Sequence, residues 1–414
     1  MRHVVFIAPR FLETTNRFLS AFAALDGITL SVVSEDPESA IPAAVRARIA
    51  GHYGVKNCLD GEQLTTAVRA LGHGVGKVDR LNGVLEQLQI PMATVRDALD
   101  IEGIRGVVAQ NFRDKDRMKD VLRAAGVPVA KSGLVTSLAG LRTFIDQVGY
   151  PIIVKPQAGL GTRDTFRITS KEDLEALEQK GFAPSADAPL QAEEFVVARE
   201  HTCETVTIRG KTVWRSGSRY FPTPLEVLEK PWVQYCVLLP KEDNLPEFEK
   251  FAAINEAALA ALFGPDASNA AGTALSHMEW FLREDGSALV NEVGARPPGV
   301  MLMPLMSLAH DTNMIRDWAR LMALEEFTPK KRTHAAGACF FRGQGEGSHV
   351  TQVTGIEDAV IKVGDALVEL RSPKVGMPRA TGYEGEGWAL VRGNTTDEAT
   401  AALLTLVETV QVRY

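Results

Sequence analysis

The sequence runs to 414 residues and is 45% apolar, enough for about two to four globular units with sizeable cores. Its 45 basic and 52 acidic residues give a net charge of −7 without a basic stripe, so no nucleic-acid surface is expected. No apolar run reaches membrane-spanning length, MRHVVFIAPRF does not read as a signal peptide, and four scattered cysteines (Cys58, Cys203, Cys236, Cys339) fit a reducing cytoplasm without structural zinc.

The chain opens with a buried strand at 3–9 (HVVFIAP), a helix at 14–25 behind a Thr cap and a second strand at 28–34 (ITLSVVS), which predicts a doubly wound sheet. The first turn, APRFLETTN, lacks the glycine fingerprint of a dinucleotide site, and GHGVGK (72–77) has glycines at the wrong spacing and reads as a loop. Helical sequence fills 79–126 and closes on AGVP. The strand PIIVK follows, then a strand and a capped helix over 166–181. LQAEEFVV and TCETVTIRGKTVWRSGSRY alternate as antiparallel strands, and 247–264 is an amphipathic helix stopped by glycine. LSHMEWFLRED and SALVNEVGAR are two further strands. A Met-rich helix runs to 324, where Met301, Met303 and Met306 are core packing or an adaptable pocket wall. The remainder is mostly β and ends in the helix TDEATAALLTLVETV.

Within this series PIIVKPQAGLGTRD (151–164) carries Lys155 out of a buried strand straight into a glycine loop. One reading is a hairpin with a lysine at the strand end. The other is a phosphate site, where loop N–H groups point inward and the lysine adds a compact positive charge. It is not a Walker loop, because the Gly-Lys-Ser/Thr ending is missing. Downstream, Glu279 and Glu292 fall on strands joined by a REDGS turn. They can meet on one face, where they repel unless a cation lies between them. The plain alternative is a pair of surface acids, with Arg296 as a structural partner of either one. Arg219 and Tyr220, in RYFPTPLEVLEKPW (219–232), contact substrate or simply pack.

Taken in order, RDKDRMKDVLRAAGVP (113–128), the Lys155 loop, EEFVVARE (193–200) and HMEWFLREDGSALVNEVGAR (277–296) resemble the ATP-grasp superfamily, as in biotin carboxylase, D-alanine–D-alanine ligase and the carbamoyl-phosphate synthase large chain. The resemblance covers roughly residues 1–414 and implies an α/β and α+β fold. It implies an N-terminal doubly wound βαβ domain over 1–107, a two-part ATP-grasp core over 108–325 with 126–200 as its lid, and a C-terminal β-rich piece over 326–414. It further implies that Lys115 and Lys155 neutralise nucleotide phosphates, and that Gly159, Gly161 and Thr162 close over them. Glu193 would accept from the adenine amino group, backbone groups of Glu194 and Val196 would read the adenine edge, and Glu200 would hold the ribose hydroxyls. Glu279 and Glu292 would be the metal carboxylates, and Arg296 would face the transferred phosphoryl group. The implied cofactors are ATP and Mg²⁺, with Mn²⁺ as a substitute. The implied partners are a small carboxylate and a nucleophile such as an amino acid, in the cytoplasm, and a homodimer is compatible.

Two positions depart from the family pattern. Gly294 stands where many relatives have a metal-binding asparagine, and Asn291 is expected on the opposite strand face. Asp164 replaces a third loop glycine. The resemblance leaves three reactions. Carboxylate–amine or carboxylate–thiol ligation through an acyl phosphate, releasing ADP, fits the EVGARPPG form. Biotin-carboxylase-like or carbamoyl-phosphate-like chemistry on bicarbonate is the first alternative, although Pro297 and Pro298 follow Arg296 where biotin carboxylases continue differently. A non-catalytic ATP-binding module is the second.

Overall fold

The computed structural model describes residues 1–156, 165–222, 227, 234–242, 245–382 and 384–414. The first sheet is parallel, in the order β3-β2-β1-β4, from β1 (Arg2–Ile7), β2 (Ile28–Ser34), β3 (Ile49–Gly54) and β4 (Arg80–Asn82). Helices α1 (Glu13–Ala23), α2 (Ala43–Arg46) and α3 (Gly61–Val75) connect its strands. Val4 and Phe6 of β1 join a core cluster with Phe18, Leu19 and Phe22 of α1, whereas Val5 and Ile7 join Leu64, Val68 and Leu71 of α3. Helices on both faces are why this strand is an unbroken apolar run.

Three local expectations are corrected. The first helix has Leu12 at its N-cap and no side-chain cap. Gly72 and Gly74 belong to α3, which Asp60 caps and Gly76 ends at φ 134°. The apolar spacing Leu64, Val68, Leu71 outweighs the cost of two glycines in the last turn. The expected helical stretch from 79 is interrupted by β4, after which α4 (Gln89–Leu99), α5 (Gly106–Arg113) and α6 (Lys115–Ala124) follow.

A small antiparallel sheet, in the order β5-β8-β6-β7, contains β5 (Ser132–Val135), β6 (Ile152–Pro156), β7 (Phe166–Ile168) and β8 (Leu190–Glu194). Helices α7 (Leu138–Val148) and α8 (Lys171–Gln179), each capped by a serine, share its core. The largest sheet has eight antiparallel strands in the order β13-β12-β9-β10-β11-β14-β17-β16. They are β9 (Arg199–Ile208), β10 (Lys211–Phe221), β11 (Tyr235–Leu239), β12 (Ala274–Leu282), β13 (Ala288–Gly294), β14 (Ala335–Phe341), β16 (Leu367–Arg371) and β17 (Gly387–Gly393). A ribbon of β15 (Gln352–Thr354) and β18 (Gln411–Arg413) lies apart from it.

The large sheet is covered on both faces. On one, α9 (Pro246–Phe263) lays Phe251 flat on Trp280, with centroids 4.0 Å apart and planes at 7°. On the other lie α10 (Leu302–Ala309) and α11 (Met314–Leu324), the expected Met-rich helix broken by a turn whose Asn313 caps the second half. Met303 and Met306 are buried core residues. Helices α12 (Ile356–Val363) and α13 (Thr396–Thr409) are the last two, with α13 packed on β14 and β17 ahead of β18. No helix among the described residues is long and apolar enough to cross a membrane.

The first sheet is fastened to the rest through aromatic rings. Trp318 of α11 meets Phe18 and Phe22 of α1 edge-on, at 5.2 and 5.6 Å between centroids. Trp318→Ala is expected to cost about 3–5 kcal/mol in chemical denaturation, the usual loss for a buried large aromatic.

Candidate functional site

The site is written into the register of β9, β12 and β13. Along β9, Glu200, Thr202 and Glu204 alternate onto one face. Thr202 lies opposite Glu279 and Glu204 opposite His277 on β12, and Glu279 lies opposite Glu292 on β13. Directly opposed residues share a face, so both expected metal carboxylates meet as the strand reading required. A bulge follows at once, because Trp280 pairs with Val290 and leaves Asn291 as an extra residue. Bulges re-aim side chains, and the Asn291 Nδ2 lies 3.4 Å from Glu279 Oε2. This corrects the expected placement of Asn291, since simple alternation along the strand had put it on the far face.

So many acids in one place need cations. His277 shares Nδ1 with Glu204 Oε1 at 2.8 Å, and its Nε2 lies 3.5 Å from Glu279 Oε1. Burial alone would lower its pKa, but the bonds to Glu204 and Glu279 outweigh this and raise it to about 9. Glu204 is fully buried and accepts from Thr202 Oγ1 at 3.0 Å, and Thr202 in turn bonds Ser218 at 2.7 Å. Glu200 is pushed well above the carboxylate range, first by burial and then by the charge of Glu279.

Helix α6 supplies two more cations. Asp114 caps it through the N–H groups of Asp116 and Arg117, which fixes Lys115 at its first position. Lys115, Met118, Lys119 and Leu122 form its buried stripe. Lys115 forms an ion pair with Glu292. One turn on, Lys119 Nζ lies 2.6 Å from Glu193 Oε1. Lys155, at the end of β6, donates to Glu193 Oε2 at 2.9 Å. Burial would raise the pKa of Glu193, but Lys119 and Lys155 overcome it and bring it down to about 2. The structure thus brings together Lys115, Lys155, Glu193, Glu279 and Glu292. Lys119 is a member that motif reading passed over. The signal was available as a lysine at i+4 from Lys115 on an otherwise apolar helix face.

Arg296 has a partner that was also missed. Its Nε pairs with Glu86, between β4 and α4, and its Nη1 donates to the Pro297 carbonyl at 2.9 Å. Glu86 also lies 3.7 Å from Arg113. Burial works against the Arg296 charge, yet Glu86, followed by Glu292 and Glu279, raises its pKa above the usual value. The ion pair considered for Arg296 therefore exists with Glu86 of the first third of the chain, rather than with either metal-type acid.

In the EEFV segment, Glu194 takes part in strand pairing. The Glu194 N–H donates to the Lys131 carbonyl at 2.9 Å and its carboxylate accepts from the Lys131 N–H at 3.0 Å, so that N–H is committed to the strand pairing of β8. Val196 lies in the connection between β8 and β9. Arg219 pairs with Glu247, and Tyr220 is buried beside Tyr235 at 5.7 Å, so both engage in packing. Gly159, Gly161, Thr162 and Asp164 lie outside the described residues.

A hard divalent cation fits the acid row. Among the described residues no group of three or more His, Cys, Asp or Glu side chains is gathered for a metal. Magnesium bound together with phosphates needs only one or two carboxylates, and Glu279 and Glu292 are opposed on neighbouring strands with Asn291 beside them.

Residues 114–203 match the family model of the ATP-binding domain of the carbamoyl-phosphate synthase large chain. Among curated proteins, an L-arginine-specific L-amino acid ligase of Bacillus subtilis is 25% identical over 229 residues, covering 54% of this chain and 53% of that protein. A D-alanine–D-alanine ligase of Arthrobacter sp. (strain FB24) is 29% identical over 225 residues, covering 49% of this chain and 56% of that one. The chain thus spans about half the length of these curated relatives. Among solved structures, an L-amino acid ligase from Bacillus licheniformis superposes with a TM-score of 0.76 at 18% identity, covering 100% of this chain and 99% of that chain. The biotin carboxylase domain of a Hydrogenobacter thermophilus 2-oxoglutarate carboxylase, in complex with MgADP, gives a TM-score of 0.67 at 16% identity, covering 99% of this chain and 90% of that chain. At these identities the structural likeness speaks for the fold.

The Glu193 pairs give a pH signature. Its pKa is about 2 in the folded protein against 4.5 for a free side chain, so its stabilisation is present above pH 4.5 and lost as pH falls towards 2. Glu193→Gln leaves Lys119 and Lys155 without their acid and is expected to cost about 3–5 kcal/mol near neutral pH. In a pH series of denaturation curves, the gap between wild type and variant should close between pH 4.5 and 2.

Proposed function

We infer that this chain, whose fold and ATP-binding segment are those of the ATP-grasp superfamily, is an ATP-dependent ligase joining a carboxylate to an amine. The observation that carries this reading is the ion pair of Lys115 with Glu292, which is itself opposed to Glu279, with Lys155 in the field of both acids. Phosphoryl transfer needs cations on the phosphate oxygens and oxygen ligands for magnesium, and little covalent help from the protein. The relatives named as amino-acid and D-alanine ligases support the same reaction class.

In this reading Lys115 and Lys155 exchange their resting carboxylate partners for phosphate oxygens. The phosphate role that the resemblance assigns to Gly159, Gly161 and Thr162 belongs to the same proposal, while Glu193 and the backbone near Val196 receive the adenine and Glu200 faces the ribose. A magnesium ion held by Glu279 and Glu292 would neutralise charge on the β- and γ-phosphates. A substrate carboxylate oxygen attacks the γ-phosphorus and the bond to the ADP oxygen breaks, giving ADP and an acyl phosphate. An amine then attacks the acyl carbon, and inorganic phosphate leaves with the bridging oxygen. Arg296 stabilises charge on the moving phosphoryl group, a contribution of about 3 kcal/mol for a well-aimed donor. Its buried pairing with Glu86 holds the guanidinium in place beforehand. Residues 1–107, 108–325 and 326–414 would act as the three working units, with 126–200 as the lid.

Two outcomes test the proposal. Lys155→Ala should weaken calorimetric ATP binding far more than Lys211→Ala, which removes an exposed lysine at the start of β10. Equal binding by both variants would remove Lys155 from the site. With a carboxylate substrate labelled with ¹⁸O in its carboxyl group, one label should appear in inorganic phosphate alongside ADP. Pyrophosphate as product, or label kept wholly in the acid, would contradict the acyl-phosphate route.

A further inference from the structure

We propose that Lys119 sets the base selectivity of the nucleotide site by holding the Glu193 carboxylate ionised and oriented as an acceptor for an exocyclic amino group. The proposal rests on the nucleotide reading above and concerns a residue that no motif of this fold brought forward.

Lys119 is 1% exposed and stands in the middle of α6, between Met118 and Leu122, which are buried in the core. Its ammonium group therefore has a fixed place. The Glu193 carboxylate, itself 4% exposed, is shared between two lysines that differ in kind. Lys155 ends a strand beside the glycine loop and also lies in the field of Glu292 and Glu279, so phosphates arriving there compete for it. Lys119 has Glu193 as its sole acidic contact among the described residues. Once Lys155 turns to phosphate, Lys119 is the remaining counter-charge of a buried carboxylate.

Both atoms of the contact between Lys119 and Glu193 are buried, so a ligand reaches Oε1 when a neighbouring group such as Lys155 gives way. Although Lys119 Nζ and Glu193 Oε1 are 2.6 Å apart, neither atom has a hydrogen-bond partner of acceptable angle among the described residues. A carboxylate oxygen accepts from more than one donor, so Oε1 is held by charge while its directional acceptor capacity is unspent. Burial, together with the neighbouring charges of Lys155 and Lys115, drives the Lys119 pKa down to about 8 against the pull of Glu193. An amino group of adenine completes such an oxygen. The carbonyl oxygen of guanine in the same position faces it acceptor to acceptor. Without Lys119, burial favours the protonated carboxyl, whose O–H can donate to a carbonyl, and the discrimination decays.

The test uses the full chain with Mg²⁺ and two ribose-labelled fluorescent nucleotides, mant-ADP and mant-GDP, titrated by fluorescence. Wild type should prefer mant-ADP. Lys119→Met, which keeps the length of the side chain, should lose roughly 10- to 100-fold of that preference, the worth of one hydrogen bond to a charged acceptor. Lys119→Arg should retain part of it. In a Glu193→Gln background, Lys119→Met should change the preference no further, because Lys119 acts through Glu193. Equal weakening of both nucleotides by Lys119→Met, or additive effects in the double variant, would overturn the proposal, as would a wild type without preference. If Lys119→Met does not fold by circular dichroism, Lys119→Gln and Lys119→Arg are read for the same ratio, and a wild-type ratio in both overturns it. A wild type that binds neither nucleotide would instead strike the nucleotide reading itself.

Discussion

Like charges crowded on one face of a sheet are the constraint around which this molecule is arranged. Glu204, Glu279 and Glu292 share a face of adjoining strands with Glu200, whose carboxyl is pushed towards its neutral form by burial and by Glu279, and the repulsion among them would loosen the register that sets them there. Neutralising cations arrive from separated parts of the sequence. His277 comes from the same sheet, Lys115 from α6, Lys155 from the small sheet, and Arg296 just past β13. Lys115 is anchored by a local device, the Asp114 cap, and Arg296 by a distant one, the Glu86 pair. The connections between the sheets are therefore partly electrostatic, and they converge on the one place where a polyanion and its metal would be received.

These pairings are strong enough to organise the site and can still be exchanged. A lysine is a compact charge on a flexible stem, so it can change partners without rebuilding its helix or strand. Arg296, with a planar fork and two acceptors already in place, is held more rigidly. On the ligase reading this division is sensible. The groups that must follow a nucleotide in and out are lysines, and the group that meets charge only during the reaction is a pre-set arginine.

Much of this was readable in the sequence because it depends on local patterning. The opposition of Glu279 and Glu292 follows from two alternating strands and a short turn, and the placement of Lys155 follows from an apolar run that ends at a loop. What could not be read depends on tertiary accidents of one residue. A single bulge moved Asn291 to the near face, because alternation assumes an uninterrupted ladder. Glu86 became the partner of Arg296 across more than half the chain, and nothing in a loop between β4 and α4 announces such a contact. Lys119 was hidden by its neighbour, since a motif that names one lysine invites the reader to treat the next as solvated. GHGVGK reads as a loop from its glycine spacing, yet the apolar spacing upstream carries α3 through Gly72 and Gly74.

The eight-stranded sheet has a consequence for how this chain could be divided. Tyr235–Leu239 is hydrogen-bonded along its length to Ala335–Phe341, which in turn pairs with Gly387–Gly393. A fragment stopped near residue 325 would keep every residue of the acid row and still be poorly behaved. Its last strand would present a bare ladder of donors and acceptors, with the apolar side chain of Leu238 newly wetted. Such a border is adhesive and recruits any extended segment that can add to it. The C-terminal strands therefore serve as the hem of the sheet on the side of β11, leaving β13 with Glu292 as its other margin.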